Sequence, residues 1–382
     1  MIKIATYKLK IFLVIAFIFI FQGCQEEEIF PQFSSGNFIS TGSYDGSYWP
    51  TLGWRTCKPE EVGMSSNKLA ELNDEIKLLL RLHIDINSVI IVKDGYIVAE
   101  QYYSEYYNKD SLHSIYSCTK SITSALIGIA IDQNYITDVN EKMVSFFPNY
   151  NIENLSTEKQ NISLENMLTM SAGLEWYEME YTYNDERNTF SQWDLSDNRV
   201  KFVLDRPVIA SPGEEYSYNT GVSHVLSSII KNSTGERTDS FAVRNLFTPL
   251  GINNFYWPLD AQDIPYGGHG MRLTPRDMAK FGYLYLNNGN WDGNQIISQN
   301  WVELSQQKHI ERKYIPDYYY GYHWWVSDDN YYSAVGSRGQ WITIVPEYDL
   351  VVVFTNRFNN NISLQYETPE RLLNTYILPA IQ

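Results

Sequence analysis

The sequence predicts an α+β fold, in which one antiparallel sheet is assembled from the two ends of the chain, flanked by helices, with a mostly helical region inserted between them. Three observations predict it. Two apolar β segments, Ser88 to Val92 and Tyr96 to Tyr102, meet across Asp94-Gly95, a strong hairpin signal. Four further strand-like stretches, at 320 to 326, 331 to 335, 341 to 345 and 350 to 355, lie toward the C-terminus, the last two joined by Pro346-Glu347-Tyr348-Asp349. Between these groups, from Asp138 to about Asp260, Pro and Gly break the chain into short helices and loops. A chain of 382 residues, 44% apolar, is long enough for a sizeable core, and this arrangement places a site in the groove between sheet and helices.

The N-terminus carries Lys3, Lys8 and Lys10, then the apolar run Ile11 to Phe21, then Gly23-Cys24. Eleven apolar residues are too few to span a bilayer, so residues 1–23 read as a signal peptide. Phe21-Gln22-Gly23-Cys24 resembles a bacterial lipobox, departing from it at Phe21 and Gln22. That resemblance implies cleavage before Cys24, acylation of Cys24 and residence in the cell envelope, anchored by lipid to the outer membrane. Glu26, Glu27 and Glu28 look like an acidic tag for the outer surface. The net charge is -16, and losing the first 23 residues removes three lysines and no acid. Nucleic acid and anionic membrane surfaces are therefore excluded as partners, apart from the lipid anchor itself.

Residues 24–57, rich in Gly, Ser, Tyr and Thr, read as a tether to the folded body at 58–382. Within that body the sheet part is expected at about 58–110 and 311–382, and the helical part at about 111–310. Ser65 opens a helix to about Leu82, with Leu69, Leu72, Ile76, Leu79 and Leu80 on one side. After the hairpin, the segment from His113 to Asp132 becomes a helix that is apolar on nearly every side, through Ile122, Ala125, Leu126, Ile127, Ile129, Ala130 and Ile131. Ile162 to Leu174 reads as a helix with its C-cap at Gly173, Pro275 to Leu286 as one capped by Thr274, and Thr368-Pro369 as the start of a closing helix. Aromatics make up 15% of the chain, with 30 Tyr and 10 Trp, which fits an exported enzyme with an aromatic-lined cleft.

The apolar helix begins with Ser117-Cys118-Thr119-Lys120. Residues three apart share a helix face, so the Lys120 amine comes back within reach of the Ser117 hydroxyl. A lysine in dry surroundings has a lowered pKa and accepts a proton near neutrality. Ser-x-x-Lys also arises by chance, and it is the placement at the start of a buried helix that favours chemistry. A Ser-Lys pair needs a further acid, and Tyr218, in Pro212-Gly213-Glu214-Glu215-Tyr216-Ser217-Tyr218-Asn219-Thr220-Gly221, is the candidate, its phenol expected to be acidified by a nearby ammonium. Ala334-Val335-Gly336-Ser337-Arg338-Gly339-Gln340 is a Gly-studded strand edge where a backbone N–H can approach a substrate, or else a β-bulge without a role. Trp176 and Tyr177 fit either a pocket wall or the core. His113 and His224 invite a Ser-His-Asp reading, but the chain has no Gly-x-Ser-x-Gly elbow. The six His show no ligand spacing, so no metal and no cofactor is implied. Cys57 and Cys118 are expected to stay unpaired, because a crosslink would restrain the proposed site.

Ser-x-x-Lys, Pro-Gly-x-x-x-Ser-Tyr about 100 residues on, and a Gly-rich strand near the C-terminus together resemble the serine β-lactamase and penicillin-binding-protein superfamily. More narrowly, the chain looks like the class C-like esterases and 6-aminohexanoate-dimer hydrolases over residues 58 to 380. Met167-Leu168-Thr169-Met170-Ser171-Ala172-Gly173-Leu174, Leu273-Thr274-Pro275-Arg276-Asp277-Met278-Ala279-Lys280-Phe281-Gly282 and Val345-Pro346 before Asp349-Leu350-Val351-Val352 carry it further. By this resemblance Ser117 is the acylated nucleophile, Lys120 its base and Tyr218 the second acid and base. The N–H groups of Ser117 and Ser337 form the oxyanion hole. Asn219, Gly336, Arg338, Trp176 and Tyr177 are the substrate contacts. Two departures matter. The family's Tyr-x-Asn becomes Tyr218-Asn219-Thr220, and its Lys/His-Thr/Ser-Gly triplet becomes Ala334-Val335-Gly336, removing a handle for a substrate carboxylate that Arg338 is placed to replace. The expected enzyme is a serine hydrolase acting on a small ester or amide. A β-lactamase or D-alanyl-D-alanine carboxypeptidase is the second reading, and a catalytically silent binding or sensor protein the third.

Overall fold

The structure is a computed structural model that describes residues 37–312, 318–358 and 362–382. The signal peptide, Cys24 and the first part of the tether lie outside the described residues. No described helix is long and apolar enough to cross a membrane.

Helix α1, Ser66–Arg81, begins where Ser65 accepts a hydrogen bond from the Lys68 N–H, and it buries Leu69, Leu72, Ile76 and Leu79. Strands β1, Ile86–Lys93, and β2, Tyr96–Tyr102, form the expected hairpin. Asp94 (φ 50°) and Gly95 (φ 81°) both take the left-handed conformation that matches a tight turn to the twist of the strands. Helix α2 is Cys118–Asp132, helix α3 Thr220–Thr234 and helix α4 Pro275–Leu286. The remaining strands follow as β3, Ile310–Glu311, β4, Tyr318–Tyr320, β5, Trp325–Ser327, β6, Tyr332–Gly336, β7, Gln340–Val345, and β8, Leu350–Asn356. Among the described residues these eight strands make one antiparallel sheet, in the order β2-β1-β8-β7-β6-β5-β4-β3. Its centre pairs Val89 with Phe354 and Trp341 with Phe354, and β1, β7 and β8 are buried along their whole length. That is why they read as continuous apolar runs rather than as alternating ones.

Helix α2 is the seam of the molecule. Every residue from Cys118 to Ala130 is buried, with α3 on one side and β6 and β7 on the other. Its start therefore lies where the sheet meets the helical region. Helix α4 packs on β1, β7 and β8, with Gly282 against Val351 and Ile342. It thus serves the sheet, although it falls in the stretch read as helical.

Four sequence expectations change. The strand expected at 320–326 is two strands, because Gly321 donates to the Trp324 carbonyl and His323 turns left-handed (φ 61°). The helix expected at 162–174 is only Leu164–Leu168, capped by Ser163. Met170 turns left-handed (φ 57°), letting its carbonyl accept from the Ser217 N–H and its sulfur meet the Asn219 N–H, so tertiary contacts win over helical periodicity. The closing helix, α5, runs Ile362–Leu372 and carries Pro369 inside it rather than at its start. Finally, residues 38–57 are not tether. The Glu100 N–H donates to the Phe38 carbonyl, Ile97 to that of Arg55, and Phe38, Trp54 and Cys57 are buried.

Candidate active site

Ser117 sits at the first turn of α2, just after Tyr116, which is held left-handed (φ 47°). A non-glycine residue in that conformation costs free energy that the surroundings must supply. Here the Tyr116 carbonyl is tied down by the Thr119 N–H (3.0 Å) and the Thr119 hydroxyl (2.6 Å). One helical turn on, Lys120 Nζ donates to Ser117 Oγ (3.1 Å), Thr220 Oγ1 (3.0 Å) and the Gly268 carbonyl (2.8 Å). Lys120 is 1% exposed and touches no carboxylate. Burial therefore dominates its ionisation and pulls its pKa down to about 8, with the charge of Glu178 acting in the opposite direction.

Glu178 is the member of the site that sequence reasoning missed. It is 4% exposed and fully engaged: Oε1 accepts from the Thr220 hydroxyl (2.7 Å), and Oε2 accepts from the Thr220 N–H (2.9 Å) and Trp176 Nε1 (2.8 Å). A chain of contacts thus runs from Ser117 through Lys120 and Thr220 to a buried carboxylate. The available signal was an acid set inside the aromatic run Trp176-Tyr177-Glu178-Met179, a setting that demands partners for its charge.

Tyr218 precedes α3 and meets the other two residues. Lys120 Nζ lies 4.7 Å from its ring centroid, and its phenol is hydrogen-bonded with Ser117. The acidified phenol expected from the sequence is not found. Burial, with Tyr320 and Glu178 nearby, raises its pKa well above the usual phenol range, because the ammonium faces the ring and not the oxygen.

The other candidates divide. Gly336, at the end of β6, lies against the start of α2: a Cβ there would collide with the Ile115 carbonyl and sit 3.2 Å from the Ser117 nitrogen. Ser337 follows in the turn. Among the described residues neither the Ser117 nor the Ser337 N–H donates to another backbone group. Arg338 is exposed, its guanidinium 5.9 Å from the Tyr116 ring centroid, so it stands at the rim. Asn219 is not presented to a substrate. It is buried and caps α3, accepting from the Val222 N–H (3.0 Å), and the next residue, Thr220, takes the place beside the lysine. Trp176 is core, packed against Trp193, Phe202 and Gly221, whereas Tyr177 is partly exposed. His113 bonds Asn87 and His224 bonds Asp260 (2.9 Å), and neither touches Ser117. Cys57 and Cys118 are free and buried, as expected.

The beta-lactamase family model matches residues 85–374. A 6-aminohexanoate-dimer hydrolase of Paenarthrobacter ureafaciens is 23% identical over 293 residues, covering 72% of this chain and 73% of that protein. A solved structure from Bacillus anthracis, assigned as a 6-aminohexanoate-dimer hydrolase, is 23% identical with a TM-score of 0.67, over 80% of this chain and 83% of its own. EstCE1, a hydrolase with promiscuous acyltransferase activity, is 15% identical with a TM-score of 0.69, over 82% and 98%. These two structures share the fold of this chain. With a family match running from β1 into the segment after α5, the chain belongs to the beta-lactamase family.

Proposed function

We propose that the chain is a serine hydrolase that cleaves a small ester or amide through an acyl-enzyme on Ser117. The observation that carries this reading is a buried Lys120 amine, with a pKa drawn down to about 8, lying 3.1 Å from a serine hydroxyl. In acylation the neutral amine takes the Ser117 proton as Oγ attacks the carbonyl. Tyr218, kept protonated by its raised pKa, gives its proton to the leaving oxygen or nitrogen. In deacylation water supplies hydroxide to the acyl carbon and a proton to the Tyr218 phenolate, while the Lys120 ammonium reprotonates Ser117. The N–H groups of Ser117 and Ser337 are assigned to the oxyanion, a role consistent with their lack of other backbone acceptors.

The buried, apolar Ala334 and Val335 in place of a cationic triplet favour an esterase or amidase over a β-lactamase or carboxypeptidase. The dimer hydrolase and the promiscuous hydrolase among the similar proteins support the same choice. We also infer export and lipid anchoring through Cys24, from the lipobox-like sequence. The test is a fluorophosphonate probe together with p-nitrophenyl ester and nitrocefin assays. Expected are labelling of Ser117, turnover of the ester in preference to nitrocefin, and loss of ester turnover by a factor on the order of 10³ or more in Ser117→Ala. Preferred turnover of nitrocefin would transfer the assignment to the β-lactamase reading, and an unlabelled, inactive wild type would transfer it to the silent binding protein.

A further inference from the structure

Arg312, directly after β3, carries a buried charge that the chemistry above does not use. Its side chain is 7% exposed and stacks on Trp325, with Cζ 3.5 Å from one ring centroid of the indole and 5.4 Å from that of Tyr216. Nε and Nη1 are both buried and have no hydrogen-bond partner. The neighbouring acids are engaged elsewhere: Glu178 holds Trp176 and Thr220, and Glu370 accepts from Tyr318 (3.0 Å) and Tyr331 (3.2 Å). Ring stacking offsets part of the desolvation of a guanidinium, but two buried donors without an acceptor remain a cost that a natural fold rarely carries without use.

The position of this cation relative to Ser117 gives it a use. Tyr216 stands two residues before Tyr218 and packs on Tyr320 (5.4 Å between centroids), while Trp325 packs on Tyr366 (5.2 Å). Tyr320 and Tyr366 lie close enough to affect the ionisation of both the Tyr218 phenol and, through Arg312, their own. Tyr216, Tyr218 and Tyr366 are only half-buried. An aromatic cleft therefore leads from the serine toward the guanidinium. With Ala334 buried and neutral where the family has a cationic or polar residue, and Arg338 out at the rim, Arg312 is the buried cation facing this cleft among the described residues.

We propose that Arg312 binds a carboxylate on the substrate, so that the preferred ester or amide carries an acid group remote from the scissile bond. A carboxylate brings one negative charge and acceptors for both idle N–H donors; a doubly charged phosphate would lack a second cation here. This deepens the hydrolase reading, on which it rests, and it revises the expectation that loss of the family's cationic handle leaves a substrate without charge.

The experiment compares matched esters: p-nitrophenyl hydrogen glutarate with p-nitrophenyl butyrate, and 3-acetoxybenzoate with phenyl acetate. The wild type is expected to prefer the acid of at least one pair. In Arg312→Met that preference ratio falls about ten- to a hundredfold, mainly through KM, and Arg312→Lys recovers part of it. A merely structural arginine would lower both members of a pair in step and leave the ratio unchanged, which overturns the proposal, as does a wild type without preference in either pair. Should Arg312→Met fail to fold, competitive inhibition of the wild type by glutarate decides, absence of inhibition counting against. If no ester is turned over at all, the hydrolase reading falls by itself. Glutarate binding to Ser117→Ala, and its loss in Arg312→Lys, then still tests the anchor.

Discussion

Lys120 meets two hydroxyls and a carbonyl and no carboxylate, so desolvation outweighs attraction and its pKa lies near 8. The amine must be neutral to accept the Ser117 proton. Below pH 8 it is protonated and the rate falls tenfold per pH unit; above pH 8 the rate levels off. Glu178 acts against desolvation, because its negative charge favours the ammonium through Thr220. Glu178→Gln is therefore expected to lower the lysine pKa and move the rising limb of the kcat/KM profile for a p-nitrophenyl ester down by about one pH unit. An unmoved limb would mean that the carboxylate only holds Thr220 and Trp176 in place. The Ser117 and Lys120 pairing was legible in the sequence because both lie within one helical turn. Glu178 was not, because its contact with Thr220 spans 42 residues and depends on how two loops meet. Arg312 was hidden for the same reason: nothing near it in sequence announces the rings of Trp325 and Tyr216.

At the scale of elements, the start of α3 sets the partner of the catalytic lysine. Asn219 caps this helix, and Thr220, its first residue, reaches both Lys120 and Glu178. Asn219→Ala is expected to cost about 1 kcal/mol in denaturant unfolding and to lower kcat/KM by loosening Thr220. Asn219→Ser, an equally good cap, should restore most of both. A substrate-contacting asparagine would behave differently: Ala would leave stability intact and Ser would not rescue KM. Elements whose signals are local were legible. Helix α1 and helix α4 begin at Ser65 and Thr274 as read, since each cap is set by its own next three residues. The segment 162–174 was misread because Met170 gives up helical geometry to reach Ser217 and Asn219, some 50 residues later in the chain. The turn at 321–324 likewise follows from the Gly321 N–H finding the Trp324 carbonyl.

At the scale of the whole molecule, the sheet has an outer strand, β2, whose free edge would be open to another chain. Residues 38–57 cover it. Ser40 donates to the Val98 carbonyl (3.0 Å), Ile97 to that of Arg55 (3.0 Å) and Cys57 to that of Ile97 (3.3 Å). Trp49 and Trp54 pack on Tyr283 of α4, and Trp54 Nε1 donates to the Arg276 carbonyl (3.0 Å). The strap was read as tether because its hold on β2 is largely through the backbone, which any side chain permits, and because its apolar anchors are too sparse to show a period. A protein beginning at residue 37 is therefore expected to remain soluble and to melt like one beginning at Cys24. One beginning at residue 58 loses the burial of Phe38, Trp54 and Cys57 as well as the edge pairing. At about 1.5–3 kcal/mol for each large apolar side chain, the loss is on the order of 5 kcal/mol, enough to lower the melting temperature by several degrees and to promote association through the bared edge. Thermal denaturation and light scattering of the two forms measure this directly. Equal melting and equal monomer content would return residues 38–57 to the role of linker and leave the edge of β2 protected by some other feature of the fold.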